Sequence, residues 1–355
     1  MKKTLHARAW IASVLALSIL ILAVLSGIAY IVDPYFQYRA KDNTYFLTAT
    51  YLNPGLIKNH EYDTLIVGSG MIGNFNPDQF REELNLNPLK VECGSMGPVT
   101  TAAYLNFAAD AGKAQHYFVN IDLASFWKED KTVTNEYLMK NDLLSKLQYL
   151  LGYETWFRFI PVDCGLMLYK AWVGEFPSGK LSQRTSIDQN GAWTLGEEFG
   201  RDIVVNNRET GLYEVSSVEL NNLYENMIVQ IDSFISKVDF ESGSFTFIFP
   251  PYSALYWCDA QDEGYLDIFL DAKCYFIQKL MDNNCTVYDF QSADLTRDLD
   301  NYKDSTHYCA DVNTWMAQCF ANGSYQVTQQ NLFSLQEKLI ENTEIFRSEN
   351  ASLFY

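Results

Sequence analysis

Positive charge and histidine are both scarce in this sequence. It has 26 Lys and Arg against 44 Asp and Glu, and only four His, in 355 residues. The formal net charge is −18; the first 32 residues carry +3 through Lys2, Lys3 and Arg8, which leaves −21 on the rest. A surface that acidic repels phosphate backbones, so nucleic acid is excluded as a partner. It also repels anionic headgroups, so the exported domain is expected to stand off the membrane surface. There is no C-x-x-C pair and no His at zinc-ligand spacing from a Cys pair. Neither a metal nor another cofactor is therefore expected. The seven cysteines (Cys93, Cys164, Cys258, Cys274, Cys285, Cys309 and Cys319) are odd in number and scattered. Their spacing fixes no disulfide pairing, and they read as buried thiols. Internal repeats and low-complexity tracts are missing too. With 20% charged and 48% apolar residues, the chain has the balance of a globular protein.

What is present begins at the N-terminus. Ala9 to Val32 is a run of 24 residues without a charge, about 36 Å as a helix and enough to cross a hydrocarbon layer of about 30 Å. It exceeds the apolar core of a cleavable signal and runs directly into the aromatic segment Asp33-Pro-Tyr-Phe-Gln-Tyr38. A retained single-pass anchor is expected. Lys2, Lys3 and Arg8 precede it, so the N-terminus is expected in the cytoplasm and the remainder outside the cell membrane.

Beyond the anchor, short apolar runs alternate with helical patterns, the rhythm of an α/β domain with a parallel sheet. Strands are predicted at Thr64–Val67, Leu89–Glu92, Tyr117–Ile121, Ser244–Phe249 and Thr286–Phe290. Helices are predicted at Pro77–Leu84, behind an Asn76 cap, and at Thr100–Ala111, Ser217–Val238, Ile268–Met281 and Asp311–Phe320. The expected organisation is a cytoplasmic N-terminus (1–8), the anchor (9–32), a linker (33–62), the α/β domain (63–325), and a C-terminal helix and tail (326–355). A mostly helical insertion, residues 126–214, is expected to cover one end of the sheet. It contains the stretches Leu143–Leu151 and Leu166–Trp172 and a turn at Asp188-Gln-Asn-Gly191.

Ligands of open α/β sheets bind beyond the carboxyl ends of the strands. The residues there are Gly68-Ser-Gly-Met-Ile-Gly-Asn-Phe75, Cys93-Gly-Ser-Met-Gly97, Asn120-Ile-Asp122, Pro250-Pro-Tyr-Ser253 and, shortly after the fifth strand, Asp304-Ser-Thr-His307. In Asp304-x-x-His307 a carboxylate can orient an imidazole and stabilise its charged form. Gly68-x-Gly70-x-x-Gly73, with Glu92 ending the next strand, also matches the dinucleotide-binding fingerprint. Asn76-Pro77 interrupts the helix that motif needs, and an exported domain meets little nicotinamide cofactor, so that reading ranks far behind.

Over nearly its whole length the chain resembles the SGNH (GDSL-like) hydrolases. It is similar in particular to their membrane-anchored bacterial branch, related to teichoic-acid and exopolysaccharide acyl-modifying proteins. The matching pieces are Asp33-Pro-Tyr-Phe, Gly68-Ser-Gly-Met-x-x-Asn-Phe-x-Pro77, the glycine after the second strand, Phe249-Pro-Pro-Tyr252, and Tyr288-Asp-Phe leading to Asp304-Ser-Thr-His-Tyr308. The resemblance implies a flavodoxin-like five-stranded parallel sheet flanked by helices. It implies a serine nucleophile after the first strand, His307 as its base and Asp304 orienting the base. It implies an envelope polysaccharide or a membrane acyltransferase as partner. The family's nucleophile position is here Gly70, and Ser69 lies one residue early. The oxyanion-hole positions fall on Gly94 and on Asp122, a carboxylate where an amide is usual. A catalytically degenerate domain is therefore expected, with an esterase or O-acyltransferase using Ser69, His307 and Asp304 as the alternative.

Overall fold

The computed structural model describes residues 2–40, 49–73, 75–92, 96–127, 133, 135–174, 198–208 and 217–354. In chain order its main elements are α1 (Lys2–Val32), α2 (Ala49–Asn59), β1 (Thr64–Gly68), α3 (Pro77–Leu84), β2 (Pro88–Glu92), α4 (Pro98–Ala111), β3 (His116–Asn120), α5 (Leu143–Leu151) and α6 (Ile160–Val173). There follow α7 (Arg201–Asn206), α8 (Ser217–Lys237), β4 (Ser244–Phe249), α9 (Ala254–Asp262), α10 (Leu266–Asp282), β5 (Thr286–Asp289), α11 (Ala310–Asn322) and α12 (Leu332–Glu349). The chain divides into two compact units, residues 1–60 with 135–187, and residues 61–134 with 188–355. The segment anticipated as a single insertion is thus shared between them. Its turn at Asp188–Gly191 lies outside the described residues.

The first unit is built on α1, a helix long and apolar enough to cross a membrane. The chain leaves it through Asp33, buried and at φ 45°. The Asp33 carboxylate accepts the Gln37 and Tyr38 N–H groups at 2.9 and 3.0 Å, and the Tyr149 hydroxyl donates to it at 2.7 Å. This fixes the turn by which Tyr35 enters a small aromatic core with Leu138, Tyr149 and Phe159. The 33–62 segment expected as a linker contains α2, which carries Pro54 inside it.

The second unit holds a five-stranded, all-parallel sheet in the order β2-β1-β3-β4-β5. Side chains alternate between its faces. Phe118 on one face packs with Phe80 of α3 and Phe320 of α11. On the other, Phe247 meets Phe234 of α8 and Phe276 of α10. Both faces are covered and the strands are almost wholly buried, as parallel sheets require. At the end of β5, Lys273 of α10 donates to Asp289 at 2.9 Å and to Gln291 at 3.0 Å, deep in the core.

Candidate functional site

Chain order reverses across β1 and β3, because β2 lies on one side of β1 and β3 on the other. Crevices at such a switch point collect ligands. Here the strands lie so close that a side chain at Gly68 has no room. A Cβ on Gly68 would stand 2.7 Å from the Asn120 Cβ and 2.9 Å from Ile72 Cγ2. After β1 the backbone enters a single 3-10 turn, Gly70–Ile72, and α3 begins only at Pro77, capped by the Asn76 side chain on the Asp78 N–H. A dinucleotide fingerprint needs its helix to start at the glycines; this one starts after them.

The loop bearing Asp304 and His307 is closed on itself. Lys303 N–H donates to the His307 carbonyl and Cys309 N–H to that of Asn301, with Tyr302 and Tyr308 bridged across the loop. Ser253, after β4, donates to the Ser305 carbonyl through both its N–H and its hydroxyl. Asp304 Oδ1 accepts the N–H groups of Thr306 and His307 at 2.9 and 2.7 Å. The same carboxylate pairs with His307 Nδ1, at 2.8 Å from Oδ2. Burial acts to raise the Asp304 carboxyl, but the His307 imidazole and the two backbone N–H groups outweigh it and hold the group at about 2. With Nδ1 engaged, Nε2 is the nitrogen turned outward.

That nitrogen faces Gly70. A Cβ on Gly70 would lie 3.5 Å from His307 Nε2, in ordinary contact, and would meet nothing closer. The hydroxyl of a serine there, one bond further out, comes within hydrogen-bond reach of the ring. Ser69 is buried, and its hydroxyl makes no cap bond. Among the described residues no hydrogen bond joins it to His307. The side-chain direction that reaches the imidazole belongs to residue 70, where the extended backbone of Ser69 gives way to the 3-10 turn.

Around His307 the site is acidic. Asp122 receives a short hydrogen bond from the Tyr252 hydroxyl. Burial raises its carboxyl above the usual Asp range, against the pull of Tyr252, the Ala124 N–H and His307. Burial likewise raises Glu92 at the end of β2, opposed by Lys90 and His307. Among the described residues no group of His, Cys, Asp and Glu could hold a metal ion. Gly94 lies outside the described residues.

A second buried polar group lies two residues before Asp122. Asn120, the last residue of β3, is buried against Gly68, and neither of its amide atoms has a well-formed hydrogen bond among the described residues. Its neighbour is the Tyr308 hydroxyl, which burial pushes far up and Asn120 holds back. A polar amide closing an otherwise apolar strand, His116-Tyr-Phe-Val-Asn120, was the sequence signal for it. The amide is thus buried between Gly68 and the Tyr308 hydroxyl, with which it pairs. No family model matches the chain, and no curated protein matches it either.

Proposed function

We propose that the second unit is a flavodoxin-like, SGNH-type hydrolase domain that has lost its nucleophile. Tethered by α1 outside the cell membrane with its N-terminus in the cytoplasm, it serves as a ligand-binding accessory in acyl modification of an envelope polysaccharide. The 2-1-3-4-5 parallel strand order is that of doubly wound flavodoxin-like sheets and supports the fold. The observation that carries the reading is the juxtaposition at Gly70: base and orienting acid stand ready, and the residue that faces the base has no side chain. Without a nucleophile the pair retains the means to hold a hydroxyl-bearing ligand, since Nε2 faces the open space at Gly70.

The test is construction of the missing group. Wild-type protein is expected to give no turnover of aryl acetates and no labelling by a fluorophosphonate. Gly70→Ser is expected to gain both, and Gly70→Ser with His307→Ala to lose them. Because nucleophile and base act as a unit, restoring the hydroxyl beside His307 is expected to raise turnover by roughly 10²-fold or more over wild type, well within detection. Covalent labelling of the wild type that Ser69→Ala abolishes would overturn the reading in favour of a working esterase or acyltransferase.

A further inference from the structure

The first unit has an apolar surface that its own core leaves uncovered. From Tyr153 through α6, the residues Tyr153, Phe157, Leu168 and Trp172 are 72%, 73%, 70% and 91% exposed. With Pro161 and the exposed Cys164 between them, the spacing is 4, 4, 3, 4 and 4 residues, which is one stripe along a helix. The stripe contains no charge. The opposite face, through Phe159, Ile160, Asp163 and Leu166, is the buried one. Soluble surfaces rarely leave so many large apolar side chains in one contiguous row.

We propose that this stripe is a second membrane contact, with α6 lying at the lipid–water boundary and its aromatic and aliphatic side chains in the outer acyl region. The proposal rests on α1 being the membrane span. Continuity with that helix argues for lipid as the occupant. Residues His6–Val24 of α1 are exposed throughout, whereas Leu25–Gly27, Ala29 and Val32 are partly or fully covered. The bare stretch is about 28 Å long, close to the hydrocarbon thickness of about 30 Å. Both α5 and α6 pack against α1, so they meet it where the hydrocarbon ends. Helices that lie in this boundary bury one apolar face and keep charges to the other side. The charges of this segment obey that rule. Glu154 and Arg158 pair with each other at 3.2 Å, and Asp163 is on the buried face. The Arg158 guanidinium also lies over the Phe159 ring, 5.1 Å from its centroid, and so off the apolar stripe.

Spin labels on the full-length protein in phosphatidylcholine–phosphatidylglycerol nanodiscs test this. Labels are placed by Leu168→Cys or Trp172→Cys on a Cys164→Ser background. Leu20→Cys serves as the control for the span and Asn222→Cys, exposed in the other unit, as the control for water. Collision with oxygen relative to a nickel chelate is expected to be severalfold higher at 20, 168 and 172 than at 222. An oxygen-rich signal at 20 with chelate-rich signals at 168 and 172 would overturn the proposal while leaving the span intact. A chelate-rich signal at 20 would remove the span itself. Low collision with both reagents at 168 and 172, or dipolar broadening between copies, would mean that protein covers the stripe, and would equally overturn the lipid assignment.

Discussion

Gly68 and Gly70 flank Ser69, yet their missing side chains have different causes. At Gly68 the absence is structural, because the neighbouring Asn120 Cβ and Ile72 Cγ2 occupy the space and neither is the end of a flexible chain. At Gly70 the space is open and looks onto His307. Only the second absence bears on chemistry. The His307 partner is defined by its electrostatics. Asp304 is held at about 2 in the folded chain, below the roughly 3.9 of an unfolded Asp. A carboxyl depressed on folding contributes stability that is complete above the unfolded value and is lost as pH falls through the folded one. Wild type should therefore exceed Asp304→Asn in unfolding midpoint at pH 6. The difference should shrink between pH about 4 and pH about 2, as followed by denaturant titration at each pH. A difference unchanged down to the acid end would show that Asp304 acts through packing and not through its charge. Asp122 runs the other way: its raised carboxyl favours the folded state below the unfolded value and loses that benefit as pH rises.

Among the elements, the strands were the most legible in sequence. All five lie within one residue of their predicted ends, and β4 matches at both. Short β-rich runs between Gly, Pro and Asn leave little choice when a sheet is buried on both faces. Pro77–Leu84 matches too, because its cap and first-turn proline are local signals. Outside the expected insertion, two helices escaped. Ala254–Asp262, capped by Ser253 on the Tyr256 N–H, is aromatic-rich and has no polar stripe to mark a period. Ala49–Asn59 contains Pro54 and Gly55, which ordinarily argue against a helix. Tertiary contact overrides them. A Cβ on Gly55 would lie 2.0 Å from the Tyr35 carbonyl oxygen and 2.6 Å from that of Phe36, so the chain leaving α1 rests directly on this glycine. Gly55→Ala forces two backbones apart and is expected to cost about 1–3 kcal/mol or more. Hydrogen exchange should show this as faster exchange at the amides of 49–59, with those of β1–β5 unchanged. Protection of α2 equal to wild type would contradict the close approach. The site divided in the same way. Asp304 and His307 were readable because three residues of spacing make a local pairing. The pairing of Asn120 with Tyr308 was not, since it arises only when β3 and the late loop are brought together.

At the scale of the whole chain, the thiols separate by environment and not by pairing. The six described cysteines, all but Cys93, are free, although the expected compartment favours disulfides. For Cys258, Cys285 and Cys319 burial accounts for their persistence as thiols. It pushes Cys258 and Cys285 up to about 12 and Cys319 up to about 11, and a thiol so far above neutral pH supplies almost no thiolate for oxidation or exchange. Cys164 differs, being exposed on α6. N-ethylmaleimide reacts through the thiolate, so on the solubilised protein, with the bilayer removed from α6, it is expected to modify Cys164 and to leave Cys258 and Cys285 unmodified until the chain is denatured. Peptide mass mapping after timed quenching reads this directly. Native labelling of Cys258 at the rate of Cys164 would mean that the α9 core opens freely. The folded domain would then owe its thiol chemistry to motion.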